Sequence, residues 1–393
     1  MAPTAAAVQH SGIREIVNLV LGDPTLDVVR LEIGEPGFAT PAHIVAAGAQ
    51  AAGSARYAPS AGHGHLREAL AGRLARVHGL AVDAQDVIVT QGAVQACFAT
   101  LAALVGPGDE VLLPDPAWPN YEMQTTLLGA TPVRYPLRAR QSFIPDPDEV
   151  AGLVTDRTRV LVLNSPGNPT GAVLPAETVQ ALVELAIDRD LVLLADEVYD
   201  ELIFEGGAAN VLAYDRDHVV GVYSFSKTYA MTGWRVGYAV APRWLSPTLA
   251  KLQEPMLSCI PDPMAAGAMA ALEGPQDIVP EMRDAYRSRR DLVVGLLADA
   301  GLEVATPRGA FYVMLPLAPG TDSRRAAIDL VRAGVSTAPG TAFGAVAADH
   351  LRLSLASVEA DLREGLARLL RWYEASGGGR RLLAPSVASP DRE

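Results

Sequence analysis

The chain has 393 residues, of which 49% are apolar, with 35 glycines and 29 prolines and a formal net charge of −13. That length and composition suit an α/β enzyme of more than one domain, not a fibre or a disordered protein. The acidic balance argues against nucleic acid and anionic membrane as partners, so any anion site must be built locally.

Two cysteines, Cys97 and Cys259, supply neither a metal-ligand cluster nor a disulfide framework, which fits a reducing cytoplasm. Residues 1–8 lack a basic region followed by an apolar core, so no signal peptide is expected there. Apolar runs such as 191–195 are too short to span a bilayer.

In chain order, an Ala-rich and flexible start is followed by one short helix patterned on Ile13, Ile16, Val17 and Val20. Residues 31–38 read as a strand end and a turn in which Gly34 allows close approach to the backbone. The loop 56–62, carrying Tyr57, leads into a helix over 66–78 capped by Gly79. Strand and helix then alternate: a strand over 87–90, a tight turn at Gln91-Gly92-Ala93, a helix over 94–105, and a strand over 110–113. A small-residue turn feeding a helix offers backbone N–H groups to an anion, though Gly-Ala alone is a weak signal.

A strand over 159–163, a rigid turn over 164–171, a helix over 176–189 and a strand over 191–195 ending in Asp196 continue the pattern. Repeated units of this kind imply a parallel sheet flanked by helices, with ligands gathered at the carboxyl ends of its strands. Gly92, Asn168, Asp196 and Lys227 all fall there. Further on, helices over 280–300 and 324–333 alternate with strands over 309–315 and 350–355.

Lys227 is placed in a loop between two apolar runs, 219–222 and 236–240. Ser224, Ser226 and Arg235 around it make a phosphate cradle of donors and one planar cation. A desolvated lysine near another cation has a lowered pKa, as Schiff-base chemistry with an aldehyde requires.

Taken together, segments 164–171, 196–199, 224–237 and Arg352-Leu353-Ser354 resemble the class I, aspartate aminotransferase, family of fold type I pyridoxal-phosphate enzymes. The resemblance covers roughly residues 30–370. It implies an α/β fold: a large domain with a mostly parallel sheet flanked by helices, and a smaller α+β domain built from the N-terminal segment and the C-terminal part. The expected boundaries are 1–45 for the N-terminal segment joining the small domain, 46–280 for the large cofactor-binding domain and 281–376 for the small domain. Residues 377–393 are expected to form a disordered tail.

The resemblance also implies pyridoxal 5′-phosphate as cofactor and assigns roles. Lys227 matches the lysine that binds the cofactor and shuttles a proton; Asp196 matches the carboxylate that pairs with the ring nitrogen. Asn168 and Tyr199 match the groups that hydrogen-bond the phenolic oxygen, and Trp118 the aromatic that stacks on the ring. Gly92, Ala93, Val94, Ser224 and Arg235 would hold the phosphate, and Tyr57 would reach the phosphate of a neighbouring subunit, which makes a homodimer the expected partner state. Arg352 matches the arginine that grips the substrate α-carboxylate, helped by Gly34 and Asn168. No metal is expected.

Two departures bear on specificity. Val94 stands where a lysine for a distal carboxylate is expected, so the implied preference is for neutral or apolar amino acids over aspartate. In 258–263, Asp262 either faces a cationic substrate group or serves as a turn acid. The expected activity is a cytoplasmic, ping-pong aminotransferase acting on amino and 2-oxo acids. A lyase, cyclase or oxidase on the same scaffold would share Lys227, Asp196 and Arg352, and a non-catalytic binding protein is the reading from a different class.

Overall fold

The computed structural model describes residues 1–53, 56–207 and 209–376. The expected tail over 377–393 lies outside the described residues. In chain order the strands are β1 (Val29–Arg30), β2 (Val87–Thr90), β3 (Glu110–Asp115), β4 (Thr131–Pro136), β5 (Thr158–Asn164), β6 (Val192–Asp196) and β7 (Val219–Ser224). They continue with β8 (Gly237–Val240), β9 (Tyr312–Pro316), β10 (Val335–Ser336), β11 (Ala338–Pro339) and β12 (His350–Ser354).

Seven of them form one sheet in the order β2-β8-β7-β6-β5-β3-β4. Strand β8 runs antiparallel to both of its neighbours, β2 and β7, and every other pairing is parallel. The α/β class with a mostly parallel sheet is therefore as expected. The period of two explains how one sheet serves two cores: Leu161 and Leu163 of β5 join one core cluster, Val160 and Val162 the other. Helix Ala176–Asp188 sends Val179 and Leu182 to the first face, and helix Ala93–Leu104 sends Ala96 and Leu101 to the second. Buried on both faces, these strands read as continuous apolar runs.

A third core unites the start and the end of the chain. Ile16 and Leu31 pack there with Val313 and Leu315 of β9, Leu351 and Leu353 of β12, and Leu366 and Leu369 of helix Glu359–Ala375. Around it β11, β12 and β9 form an antiparallel sheet, and β1 pairs in parallel with β10. Among the described residues no helix is long and apolar enough to cross a membrane.

The structure corrects two local readings and adds one strand that the sequence reading passed over. The Ala-rich start contains a helix, Pro3–Ala7, with proline in its first turn and three alanines, the residue of highest helix propensity. Strand β4 had no legible pattern: it is an edge strand with two prolines and mixed burial, so it shows neither alternation nor a buried run. Lys227 sits in a one-turn helix, Phe225–Thr228, where a loop was expected, because the Ser224 hydroxyl caps that turn by accepting from Ser226 N at 3.1 Å.

Candidate active site

Three neighbouring strands end on polar residues at the same edge of the sheet: Asn164 on β5, Asp196 on β6 and Ser224 on β7. Parallel register puts Asn164 opposite Asp196, and the Asn164 side-chain amide donates to Asp196 O at 2.9 Å. Beyond β2 the chain turns through Gly92, at φ 76°, into the helix Ala93–Leu104. A Cβ on Gly92 would lie 2.6 Å from Arg235 Nη2, and one on Gly237 would lie 2.7 Å from Ala93 N. Both positions therefore need glycine, and the close packing brings the helix N-terminus beside a guanidinium.

Lys227 is half-buried and its Nζ donates to Gly34 O at 2.7 Å. Burial lowers its pKa to about 8, with Arg235 and Arg352 pushing the same way and Glu35 opposing. Gly34 has no room for a side chain, since a Cβ would meet Tyr312 Oη at 2.0 Å. The N-terminal segment thus lies directly against the lysine.

Asp196 is buried, and Tyr121 donates to its Oδ2 at 2.5 Å. Val198 N donates to its other oxygen at 3.3 Å. Burial pushes this carboxyl up to about 6, against those two bonds and the Lys227 charge. Tyr199 shares a hydrogen bond with Tyr312, Oη to Oη at 2.8 Å, and burial pushes its hydroxyl pKa well up.

Arg352, on β12, is buried, with its guanidinium 4.4 Å from the Tyr312 ring centroid and 4.9 Å from that of Phe343. Its Nη1 donates to Asn168 Oδ1 at 3.0 Å and its Nη2 to Glu32 O, while its Nε is buried with no partner in the structure. Stacking on two rings fixes the plane of the fork. Arg235 donates to Thr232 O at 2.8 Å, which leaves most of its donor capacity for a ligand.

One cleft of about 830 Å³ collects these groups. Its lining includes Gly34, Ala93, Val94, Trp118, Asn168, Asp196, Tyr199, Ser224, Ser226, Lys227, Arg235 and Arg352. Gly92 stands behind the lining against Arg235. Tyr57 does not join the cleft; it is 90% exposed on its loop.

Asp262 is also absent from the lining. It is the first residue of helix Asp262–Glu273, and its Oδ1 lies 2.8 Å from His63 Nε2. In its own chain it is a helix-start acid and not a wall of the cleft.

The structure adds residues that the sequence reading passed over. Tyr121 lies three residues after Trp118, and that spacing puts both rings on one side of the turn, 5.4 Å apart between centroids and edge to face. Tyr312 was hidden in the apolar run of β9. Ser11, Ile13, Arg14 and Val17, at the start of helix Gly12–Gly22, line the cleft from the opposite end of the chain; no local pattern announces a tertiary approach of that kind.

The donor set fits pyridoxal 5′-phosphate on grounds internal to this structure. Asp196 is a buried carboxyl without an ion-pair partner among the described residues, as a protonated ring nitrogen requires. A half-buried lysine of lowered pKa and an arginine beside a glycine turn complete the set.

Comparison with known proteins gives the family. The model of the aminotransferase class I and II family matches residues 26–369. The aspartate/prephenate aminotransferase of Thermus thermophilus is 41% identical over 355 residues, covering 88% of this chain and 91% of the relative. The arginine–pyruvate transaminase of Pseudomonas aeruginosa is 42% identical over 350 residues, covering 87% and 89%. Among solved structures, Thermus thermophilus aspartate aminotransferase with maleate superposes with a TM-score of 0.90 at 38% identity, covering 94% of this chain and 99% of that one. The aromatic aminotransferase from Pyrococcus horikoshii gives 0.86 at 34% identity, covering 94% and 100%.

Proposed function

This chain belongs to the class I and II aminotransferases, enzymes that use pyridoxal phosphate, and on that premise we propose that it moves the amino group of a neutral L-amino acid to a 2-oxo acid. The observation that carries the reading is the convergence of half-buried Lys227, buried Asp196, Arg235 and buried Arg352 on one cleft. Each meets one demand of amino-group transfer.

In this reading Arg235, Ser224 and the backbone at Gly92, Ala93 and Val94 hold the cofactor phosphate, and Asp196 holds the proton on the ring nitrogen. Asn168 and Tyr199 would bind the phenolic oxygen and Trp118 would stack on the ring, all three lining the cleft. The bound cofactor supplies an electron sink for the electron pair left on the substrate α-carbon. Arg352 orients the amino acid through its α-carboxylate, and stacking on Tyr312 and Phe343 keeps the fork from turning. Neutral Lys227 Nζ takes the proton from the substrate α-carbon; its pKa near 8 keeps a usable neutral fraction at physiological pH.

A transaminase that shares its site between two substrates releases the first product before the second enters, so ping-pong kinetics follow. The exposure of Tyr57 supports a homodimer in which this residue completes the site of the partner subunit. A cytoplasmic location and the domain division at about residues 45 and 280 belong to the same proposal. Val94 supports the neutral preference, because it presents only apolar surface to the substrate side chain. The test is a panel of L-amino acids with separate 2-oxo acids, scored for paired formation of new amino acid and new oxo acid. Ammonia release without an acceptor would replace transfer by elimination.

A further inference from the structure

Asp115 ends β3 three residues before Trp118, and its side chain is buried although it does not line the cleft. A buried carboxyl needs partners, and here they come from a distant part of the chain. Ala345 N donates to its Oδ2 at 3.0 Å and Val346 N to its Oδ1 at 3.1 Å, while Arg134 Nη1 stands 3.9 Å from Oδ2. Gly344, at φ 146°, makes this approach possible, since a Cβ there would lie 2.0 Å from Asp115 Oδ1. Two residues after Asp115, Ala117 N donates to Phe343 O at 2.9 Å. The end of β3 therefore grips residues 343–346 at both ends.

That grip matters because of what Phe343 covers. The Arg352 guanidinium lies between two rings, and they are held in different ways. Tyr312 belongs to β9, which pairs directly with β12, so the sheet itself fixes that ring against Arg352. Phe343 instead follows the single turn Gly340–Ala342 and lies outside every strand. Its own N–H reaches only back to Gly340 O. Its place is set from across the structure, by Asp115, by Ala117 N and by Arg134 Nη1, which lies 3.5 Å from Phe343 O.

We infer that Asp115 is a positioning residue for substrate binding: by clamping residues 345 and 346 it keeps Phe343 on the Arg352 guanidinium, and so fixes the plane in which that fork meets the substrate carboxylate. This rests on the reading of Arg352 given above. Asp115 touches neither substrate nor cofactor and acts through Phe343. A planar fork loses its two-point grip on a carboxylate when its plane turns, so the clamp governs affinity. Its effect is blind to the side chain, because every amino acid and 2-oxo acid presents the same carboxylate to Arg352. Asp115→Ala removes both acceptors and releases the turn. Asp115→Asn keeps one acceptor oxygen but sets an amide NH2 against the other backbone N–H, so its effect is smaller.

The test is calorimetric titration of the cofactor-loaded protein with isovalerate, a carboxylate without an amino group, in wild type, Asp115→Asn, Asp115→Ala, Phe343→Leu, the double variant Asp115→Ala/Phe343→Leu, and Arg352→Lys. Phe343→Leu should weaken binding roughly 3- to 30-fold, the scale of one cation–π face, and Asp115→Ala roughly 3- to 10-fold. The double variant should match Phe343→Leu within about 2-fold, because both changes remove the same contact. In steady-state assays of Asp115→Ala, KM for a neutral amino acid should rise in step with the lost affinity while kcat stays within about 3-fold, which also reports a folded enzyme. Where Asp115→Ala does not fold, Asp115→Asn paired with Phe343→Leu decides in the same way. Unchanged affinity on replacing Asp115, losses that multiply in the double variant, or a kcat that falls as far as KM rises would overturn the inference and leave the role of Arg352 intact. A wild type that binds isovalerate no tighter than Arg352→Lys would overturn that role and this inference with it.

Discussion

Tyr121 donates to Asp196 Oδ2 at 2.5 Å, and both groups are buried at the floor of the cleft. That bond works against the burial that raises the carboxyl to about 6, so the tyrosine favours the ionised carboxylate.

Removing it has a signed consequence. Tyr121→Phe raises the Asp196 pKa further, so the acid limb of the kcat/KM profile moves to higher pH. A loss of about 1.5–3 kcal/mol in transition-state stabilisation, roughly 10- to 100-fold, is expected at neutral pH, with partial recovery in mildly alkaline buffer. A profile that falls uniformly without moving would assign Tyr121 to packing alone.

Burying Lys227 destabilises the cofactor-free protein. The folded pKa of about 8 lies below the ordinary lysine value of 10.5, so the unfolded chain binds more protons between those values and stability rises with pH across that window. At neutral pH, Lys227→Met should stabilise the cofactor-free protein by about 1–3 kcal/mol, and the gain should shrink towards zero near pH 10. Urea unfolding at neutral and alkaline pH measures it. Catalysis should fall by at least about 10³-fold in the same variant.

Arg352→Lys keeps the charge but loses the planar fork stacked between Tyr312 and Phe343. A drop in kcat/KM of about 10- to 100-fold, shared by all amino acids whatever their side chain, is the expected outcome. Steady-state kinetics with leucine, alanine and aspartate distinguish this from a side-chain effect, which would spare some substrates.

Val94→Lys replaces an apolar residue of the cleft lining with a cation. It should raise kcat/KM for aspartate relative to leucine by roughly 10-fold or more, the scale of a charged hydrogen bond. An unchanged ratio would remove Val94 as the reason for a neutral preference.

How much of this was legible in the sequence depends on how local each signal was. Gly79, at φ 69° after the helix Gly64–His78, is a helix stop that its neighbours announce. The apolar runs of β5, β6 and β7 and the polar residues that end them were readable for the same reason, and they place Asn164, Asp196 and Ser224 in line. Tyr121, Tyr312 and Arg14 were not, because each reaches the cleft through tertiary packing between segments far apart in the chain. The pairing of Tyr199 with Tyr312 spans 113 residues. The helical turn at Lys227 was missed because Ser224 was read only as a phosphate ligand, although its hydroxyl also caps that turn.

Transfer in this cleft turns on Lys227, whose Nζ moves the proton at the substrate α-carbon. The most direct measurement is the absorption spectrum of the protein loaded with pyridoxal phosphate, followed through addition of a neutral L-amino acid and then a 2-oxo acid, in wild type and Lys227→Ala. The wild-type spectrum is expected to convert to that of the pyridoxamine form and to return when the oxo acid is added, while Lys227→Ala completes neither change at a comparable rate. Full cycling by Lys227→Ala, or a wild type that binds the cofactor and never converts it, would rule out this role for Lys227.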